Sequence, residues 1–352
     1  MNARRRLLSR MVVLGVLAAP VAAAPFATSA TASPAPASKG AAAVADEQFI
    51  SSNGSVVSAA EFAREAGSSS SAPSYRGTNT PISTVQRRTP STTGAGGGSA
   101  AETPIAPDRR VQITATTSYP NRAVVWITFK TTATSGTSSC TGFMIAPNVV
   151  ATAGHCVNFG ANGGSGFFNK PSFQIFPGRS GSSSPYLCPG NTVAKASQLW
   201  TNSTWNSSGA ETHDYGAITL SCNIGDTTGY FGWTTSSQAV GNAVDTQGYP
   251  GDKPSGTQWD ADNCSTSTTS TSFVQCTIQA TSSTQMFYRN DTAGGQSGSP
   301  LFTVTSSSCT CAIGIHAYGL HGSSPHSTNN HGTRVNTTVA NFFSLMRNGG
   351  LV

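Results

Sequence analysis

An all-β fold follows from three features of the sequence beyond about residue 110. Short runs rich in β-branched and aromatic residues recur there, separated by Gly, Ser and Asn turns; a single stretch, near the C-terminal end, carries its apolar residues at helical spacing; and no internal repeat of fixed period is present.

In chain order, Met1 to Ala24 places Arg4, Arg5, Arg6 and Arg10 ahead of the apolar run from Met11 to Ala19 and ends on Ala22-Ala23-Ala24. A positive head, a short apolar core and a small-residue end describe an export signal, and the core falls short of the ~20 residues that span a bilayer. Residues 1–24 are therefore read as a signal peptide and the product as secreted, with the ordinary secretory route preferred to twin-arginine export. Residues 25–102 are dominated by Ala, Ser, Thr, Gly and Pro, a composition that buries too little apolar surface to offset its ordering entropy. They are read as a largely flexible propeptide, with one short helix expected between Phe49 and Ala66, lined by Val56, Val57, Ala60, Phe62 and Ala63. Gly94 to Ser99 forms a flexible boundary, and maturation is expected between Ser99 and Val111.

From 103 to 352 the strand pattern takes over. Strands are expected over Ala123 to Phe129, Cys140 to Ile145, Phe173 to Phe176, Gly216 to Leu220, Ala243 to Tyr249, Phe273 to Ile278, Met286 to Arg289, Pro300 to Val304 and Ala312 to Ala317. The apolar run Pro147 to Ala151 puts His155 at the end of a further strand. Val339, Phe342, Phe343 and Met346 recur at helical spacing and Gly349 follows as a stop, so a core-packing helix is expected over about 336–347.

The full chain has a net charge of +6, but from Thr103 onward 11 Lys and Arg face 9 Asp and Glu. That balance is too weak and too scattered to argue for nucleic acid or membrane binding. The eight cysteines all lie beyond the boundary and fit an oxidising compartment with up to four disulfides. Cys264 and Cys276 could close a hairpin; Cys309 and Cys311 either bridge each other across one residue or reach Cys188 or Cys222. A zinc site is disfavoured, since there is no CxxC pair. His316, His321, His326 and His331 recur every five residues, which is neither a helical nor a strand period, so they are not expected to share a face. No metal and no cofactor are expected.

The chemistry-bearing stretch is Asp291-Thr292-Ala293-Gly294-Gly295-Gln296-Ser297-Gly298-Ser299-Pro300. A serine between glycines can present its hydroxyl uncrowded, while the backbone N–H groups of Gly295 and Ser297 converge beside it. Those are the parts of a nucleophile with an oxyanion hole. Upstream, Thr152-Ala153-Gly154-His155-Cys156 offers a base, and Thr212-His213-Asp214-Tyr215-Gly216 an acid just before a strand. Asp252, Asp260 and Asp262 are the fallback acids.

The order His155, Asp214, Ser297 resembles that of the chymotrypsin-like serine endopeptidases. Gly248-Tyr249-Pro250-Gly251-Asp252-Lys253, Gly256-Thr257-Gln258-Trp259 and Gly314-Ile315-His316-Ala317-Tyr318-Gly319 narrow the resemblance to their bacterial glutamyl endopeptidase branch, over about 250 residues from Ile105. The resemblance implies two six-stranded antiparallel β-barrels, about 111–225 and 230–335, with a C-terminal helix; Asn330 to Val335 looks like the last strand. It implies a Cys140–Cys156 bridge that tethers the histidine loop. It also implies a substrate pocket involving Thr292, His316, Tyr318 and Gly319, in which His316 and Thr292 meet the substrate carboxylate, and a monomer acting on peptides. Glu211 is the only glutamate from Thr103 on, which suits a chain that would otherwise cleave itself.

Three readings stand. The first is a secreted serine endopeptidase cleaving after Glu, with Asp as the lesser choice. The second keeps the chemistry but prefers Lys or Arg through Asp291, which sits where trypsin-like enzymes bind a cation. The third is a non-catalytic binding protein on the same fold. Processing is expected near Ala101-Glu102-Thr103-Pro104, by the enzyme itself after Glu102, with Arg109-Arg110 as a rival site.

Overall fold

The computed structural model describes residues 47–67, 69–79, 85–86, 94–95, 102–161, 166–261, 276–306 and 309–349. The expected signal peptide, most of the expected propeptide, Asp262, Cys264 and Phe273 lie outside them. Among the described residues, no helix is long and apolar enough to cross a membrane.

Six antiparallel strands close into a barrel: Val124–Phe129, Ser138–Ala146, Val149–Thr152, Gly216–Leu220, Ala194–Asn202 and Gln174–Pro177, the last pairing back onto the first. Val124–Phe129 is buried along its whole length, which is why it reads as continuous apolar sequence rather than as an alternation. Ala194–Asn202 escaped the sequence reading because its first half, Ala-Lys-Ala-Ser-Gln, is half-exposed and carries almost no β-branched residue.

A second sheet runs through Ile278–Thr281, Gln285–Tyr288, Asn330–Arg334, Cys309–Tyr318, Pro300–Ser306 and Asp245–Gly248. Its outer strands meet through the isolated bridge Ala243–Thr277, where Val244 N–H donates to Cys276 O and Ile278 N–H to Asn242 O. The helix Thr337–Arg347 is capped by Asn336, whose side chain accepts from Val339 N–H. Its Phe342 and Phe343 pack on Tyr215 and Phe143 of the first barrel, so the C-terminal end holds the strand that follows Asp214.

The expectation of a largely flexible propeptide needs correction for residues 47–66. Gln48–Ser51 pairs with the edge of Ala194–Asn202, in register Phe49 to Asn202, then turns through Asn53-Gly54 into Val56–Ser58. The helix is confined to Ala59–Ala66, capped by Ser58, so Val56 and Val57 lie on a strand. Asn-Gly is a hairpin signal that the apolar count overrode. Phe49 is buried against Phe342.

Cys140 is joined to Cys156, Cys188 to Cys222, and Cys309 to Cys311. The alternatives that sent Cys309 or Cys311 to Cys188 or Cys222 therefore fall; of the expected Cys264–Cys276 pair, Cys264 lies outside the described residues. A bridge closing a loop of this length, 16 positions from Cys140 to Cys156, stabilises a fold by about 3 kcal/mol, and here it fixes the base of the His155 turn.

Candidate active site

The strand Val149–Thr152 delivers the short helical turn Gly154–Cys156, and Gly216–Leu220 begins just after Asp214, so the barrel's own pairing brings His155 and Asp214 together. His155 Nδ1 lies 2.6 Å from Asp214 Oδ2, and the His155 backbone N–H donates to Asp214 Oδ1 at 2.8 Å. Both side chains are buried. The fallback acids are placed elsewhere: Asp252 pairs with Arg110, and Asp260 sits on a strand pairing with Val111 and Gln247.

Burial alone disfavours an imidazolium at His155, but the charge and hydrogen bond of Asp214, with the charge of Glu102, outweigh it and raise its pKa above the ordinary value. Burial likewise works against ionised Asp214. The His155 charge, with hydrogen bonds from His155 and from the Tyr318 hydroxyl, holds its pKa below the usual carboxylate value.

Ser297 comes from the second sheet, in a loop tied to the first barrel. Thr141 N–H donates to Ser297 O at 2.9 Å, Thr141 Oγ1 to Gly295 O at 2.9 Å, and Gly298 N–H to His316 O at 2.7 Å. Gly295 has φ +100°, and a Cβ there would meet Tyr249 O at 2.9 Å, so only glycine turns this corner. The Gly295 and Ser297 N–H groups donate to no acceptor among the described residues.

Glu102 closes the site. Ser297 Oγ donates to Glu102 Oε1 at 2.6 Å, and Glu102 Oε2 lies 3.2 Å from His316 Nε2. The His155 Nε2 that would face the nucleophile is buried without a partner among the described residues. Glu102 O accepts from Gly294 N–H at 3.3 Å, so its carbonyl does not take the Gly295 and Ser297 donors.

His316 is fully buried, with Nδ1 2.5 Å from the Tyr288 hydroxyl. Burial, then the charge of Glu102, push the Tyr288 pKa well up, so the phenol stays protonated and can donate to Nδ1. That leaves Nε2–H to donate to a carboxylate, the tautomer assigned here from the network. Thr292 Oγ1 is buried and meets no partner among the described residues. Asp291 is also buried; its Oδ1 accepts from Ile105 N–H and its Oδ2 from Arg109 N–H, each at 2.9 Å.

Tyr318 and Gly319 were expected to bind substrate. The Tyr318 ring centroid lies 5.8 Å from that of His155 and its hydroxyl bonds Asp214, so this side chain backs the His155–Asp214 pair. Gly319 is buried, and its carbonyl accepts from His321 Nδ1. Tyr288 and Thr141 were not singled out in the sequence. Each sits in a strand whose local sequence gives no sign of the distant partner that its polar group meets.

The Trypsin family profile matches residues 113–343. The chain belongs to the trypsin family. It is 41% identical over 209 residues to a glutamyl endopeptidase of Bacillus licheniformis, covering 59% of this chain and 57% of that protein. It is 36% identical over 214 residues to a Bacillus subtilis protein named extracellular metalloprotease, covering 60% and 61%. The chain thus matches less than two thirds of the length of these relatives. A solved structure of a Glu endopeptidase in complex with MPD superposes with TM-score 0.54 at 25% identity, over 69% of this chain and 99% of that one. The two-lobed chymotrypsin-like fold expected from the sequence is thereby shown.

Proposed function

We propose that this chain is the precursor of a secreted, monomeric serine endopeptidase that cleaves peptide bonds after glutamate. The observation that carries the reading is a carboxylate on His316 Nε2, supplied by the chain's own Glu102, beside a His155–Asp214 pair and Ser297. Ser297 Oγ attacks the substrate carbonyl and His155 Nε2 takes its proton; Asp214 orients the ring and stabilises the imidazolium. The Gly295 and Ser297 N–H groups hold the oxyanion, His155 protonates the leaving amine, and water then hydrolyses the acyl-enzyme. His316 and Thr292 donate to the glutamate side chain. The Lys/Arg alternative is disfavoured because Asp291 is spent on two backbone donors, and the binding-protein alternative because every part of the triad is present.

The test is kcat/KM of the matured protein on matched peptides with Glu, Asp, Lys and Phe at P1. Glu is expected first and Asp second; a Lys preference would overturn the reading in favour of the trypsin-like one.

In the precursor, Glu102 acts as a tethered plug, removed on cleavage at or near residue 102. Because Ser297 gives its hydrogen bond to a carboxylate, Glu102→Ala should speed labelling of the full chain by a fluorophosphonate roughly 10- to 100-fold, the worth of one charge-assisted contact. The sign of the accompanying pH effect is fixed. Reaction needs neutral His155, and the Glu102 charge helps raise its pKa, so removing that charge must move the acid limb of labelling to lower pH. Equal rates in both proteins, or a limb that moves up, would remove Glu102 from this role.

A further inference from the structure

Three of the four histidines spaced five apart converge after all. A period of five shares no face on a helix or strand, but His321 and His326 lie in the loop before the strand Asn330–Arg334, where His321 N–H donates to His326 O at 3.1 Å and folds the loop back on itself. Ring centroids are 5.1 Å apart for His321 and His326, 5.0 Å for His321 and His331, and 4.8 Å for His326 and His331. From the other lobe, Glu211 enters the same cluster, and the four side chains each offer a ligand atom within 4.8 Å of the others. His316, the fourth of the series, stays in the pocket.

The contacts inside the cluster can accommodate a cation. His321 Nδ1 faces the Gly319 carbonyl at 3.3 Å, which can only accept, so Nδ1 carries a proton. Its Nε2 faces Glu211 Oε1 at 3.2 Å, a contact that either a second proton or a metal ion between the two atoms satisfies. An N–H donated to a backbone carbonyl, with the opposite nitrogen aimed at the ligand position, is the arrangement of a metal-bound histidine. His331 Nε2 lies 3.3 Å from Glu211 Oε2, and its buried ring is clamped between Phe287 and Tyr318, so it has little freedom to leave.

We propose that Glu211, His321, His326 and His331 form a binding site for one divalent transition-metal ion of the zinc class. Three imidazoles and a carboxylate suit Zn²⁺ or Co²⁺ over Ca²⁺ or Mg²⁺, and four protein ligands make a closed, structural site. The His321 Nε2 to Glu211 Oε1 distance of 3.2 Å is close to the ~3.4 Å between two donors about 2.1 Å from a tetrahedral ion, and His331 Nε2 lies against the other oxygen of the same carboxylate. The ion would join the turn Glu211–His213, just ahead of Asp214, to the loop of the second sheet beside Tyr318, and so brace the two lobes where the triad spans them. It would also sequester the only glutamate beyond Glu102 from the enzyme's own pocket.

The test uses the full chain carrying Ser297→Ala, which prevents self-cleavage, stripped with a chelator and titrated with Co²⁺. Expected are saturation at one ion per chain, visible absorption of four-coordinate intensity that Zn²⁺ displaces, and a Tm that rises with Zn²⁺. His326→Ala and Glu211→Gln, both at partly exposed positions, should each weaken Co²⁺ binding about 100-fold or more and abolish the Tm rise. A stripped protein that binds Co²⁺ only at millimolar concentration, a weak six-coordinate spectrum, or unchanged binding in both variants would show a merely hydrogen-bonded cluster and overturn the proposal.

Discussion

Ser297→Ala, matured in trans with immobilised wild-type enzyme, should lose on the order of 10⁶-fold in kcat on a glutamyl peptide while keeping its fold and its KM near the parent value. The hydroxyl is the only atom removed, and the loop that presents it is held through backbone atoms: Thr141 on Ser297 O and Gly295 O, Gly298 N–H on His316 O. Nothing in that scaffold depends on Oγ. His155→Ala should fall to a similar floor, since without a base the serine stays protonated, and the double variant should fall little further because the residues act as one unit. Asp214→Asn should cost about 10⁴-fold, by presenting the wrong partner to Nδ1. The residual rate in all of them belongs to the oxyanion donors and to substrate binding. Near-native turnover of Ser297→Ala, or losses that multiply across the variants, would exclude the triad as the engine of the reaction.

How much of this was legible beforehand depended on how local each feature is. The Ser297 loop, the histidine turn and the aspartate ahead of its strand are each written in a few adjacent residues, and strand order does the rest by pairing Gly216–Leu220 with Val149–Thr152. The C-terminal helix was legible for the same reason: a periodic face and a stop lie within eleven residues, from Val339 to Gly349. What the sequence hid are contacts between segments far apart. Asp291 could have faced the pocket as a bare charge; only the fold shows Ile105 and Arg109 turning their N–H groups onto it. Tyr288 looked like one more aromatic in an apolar strand until its hydroxyl met His316, 28 positions away. The histidine series failed differently. Periodicity predicts shared faces only on helices and strands, and His321 and His326 sit on a loop whose path no period describes.

His316→Ala is the substitution that separates specificity from catalysis. In the structure a carboxylate meets His316 Nε2 at 3.2 Å with both side chains buried, the opposite nitrogen held by Tyr288 and the Thr292 hydroxyl buried without a partner among the described residues. Removing the imidazole leaves a substrate glutamate desolvated with one donor fewer, a loss of roughly 3 kcal/mol, so kcat/KM on Glu substrates should drop 10²-fold or more. The same variant should lose far less on a Phe substrate, because His155, Asp214, Ser297 and the oxyanion donors are untouched. Tyr288→Phe should move in the same direction but less, about 10-fold, since it frees the Nδ1 side of the ring without removing the donor. Asp291→Ser should behave in yet another way. It removes the acceptor for two backbone N–H groups and should loosen the segment Ile105 to Arg109 without creating or abolishing a Lys preference. Kinetics on Glu, Asp, Lys and Phe peptides across the three variants therefore give a pattern and not a single number. Should His316→Ala depress Glu and Phe substrates equally, the histidine would be a scaffold for the pocket and not its donor, and recognition of the glutamate would have to be sought at Thr292 alone.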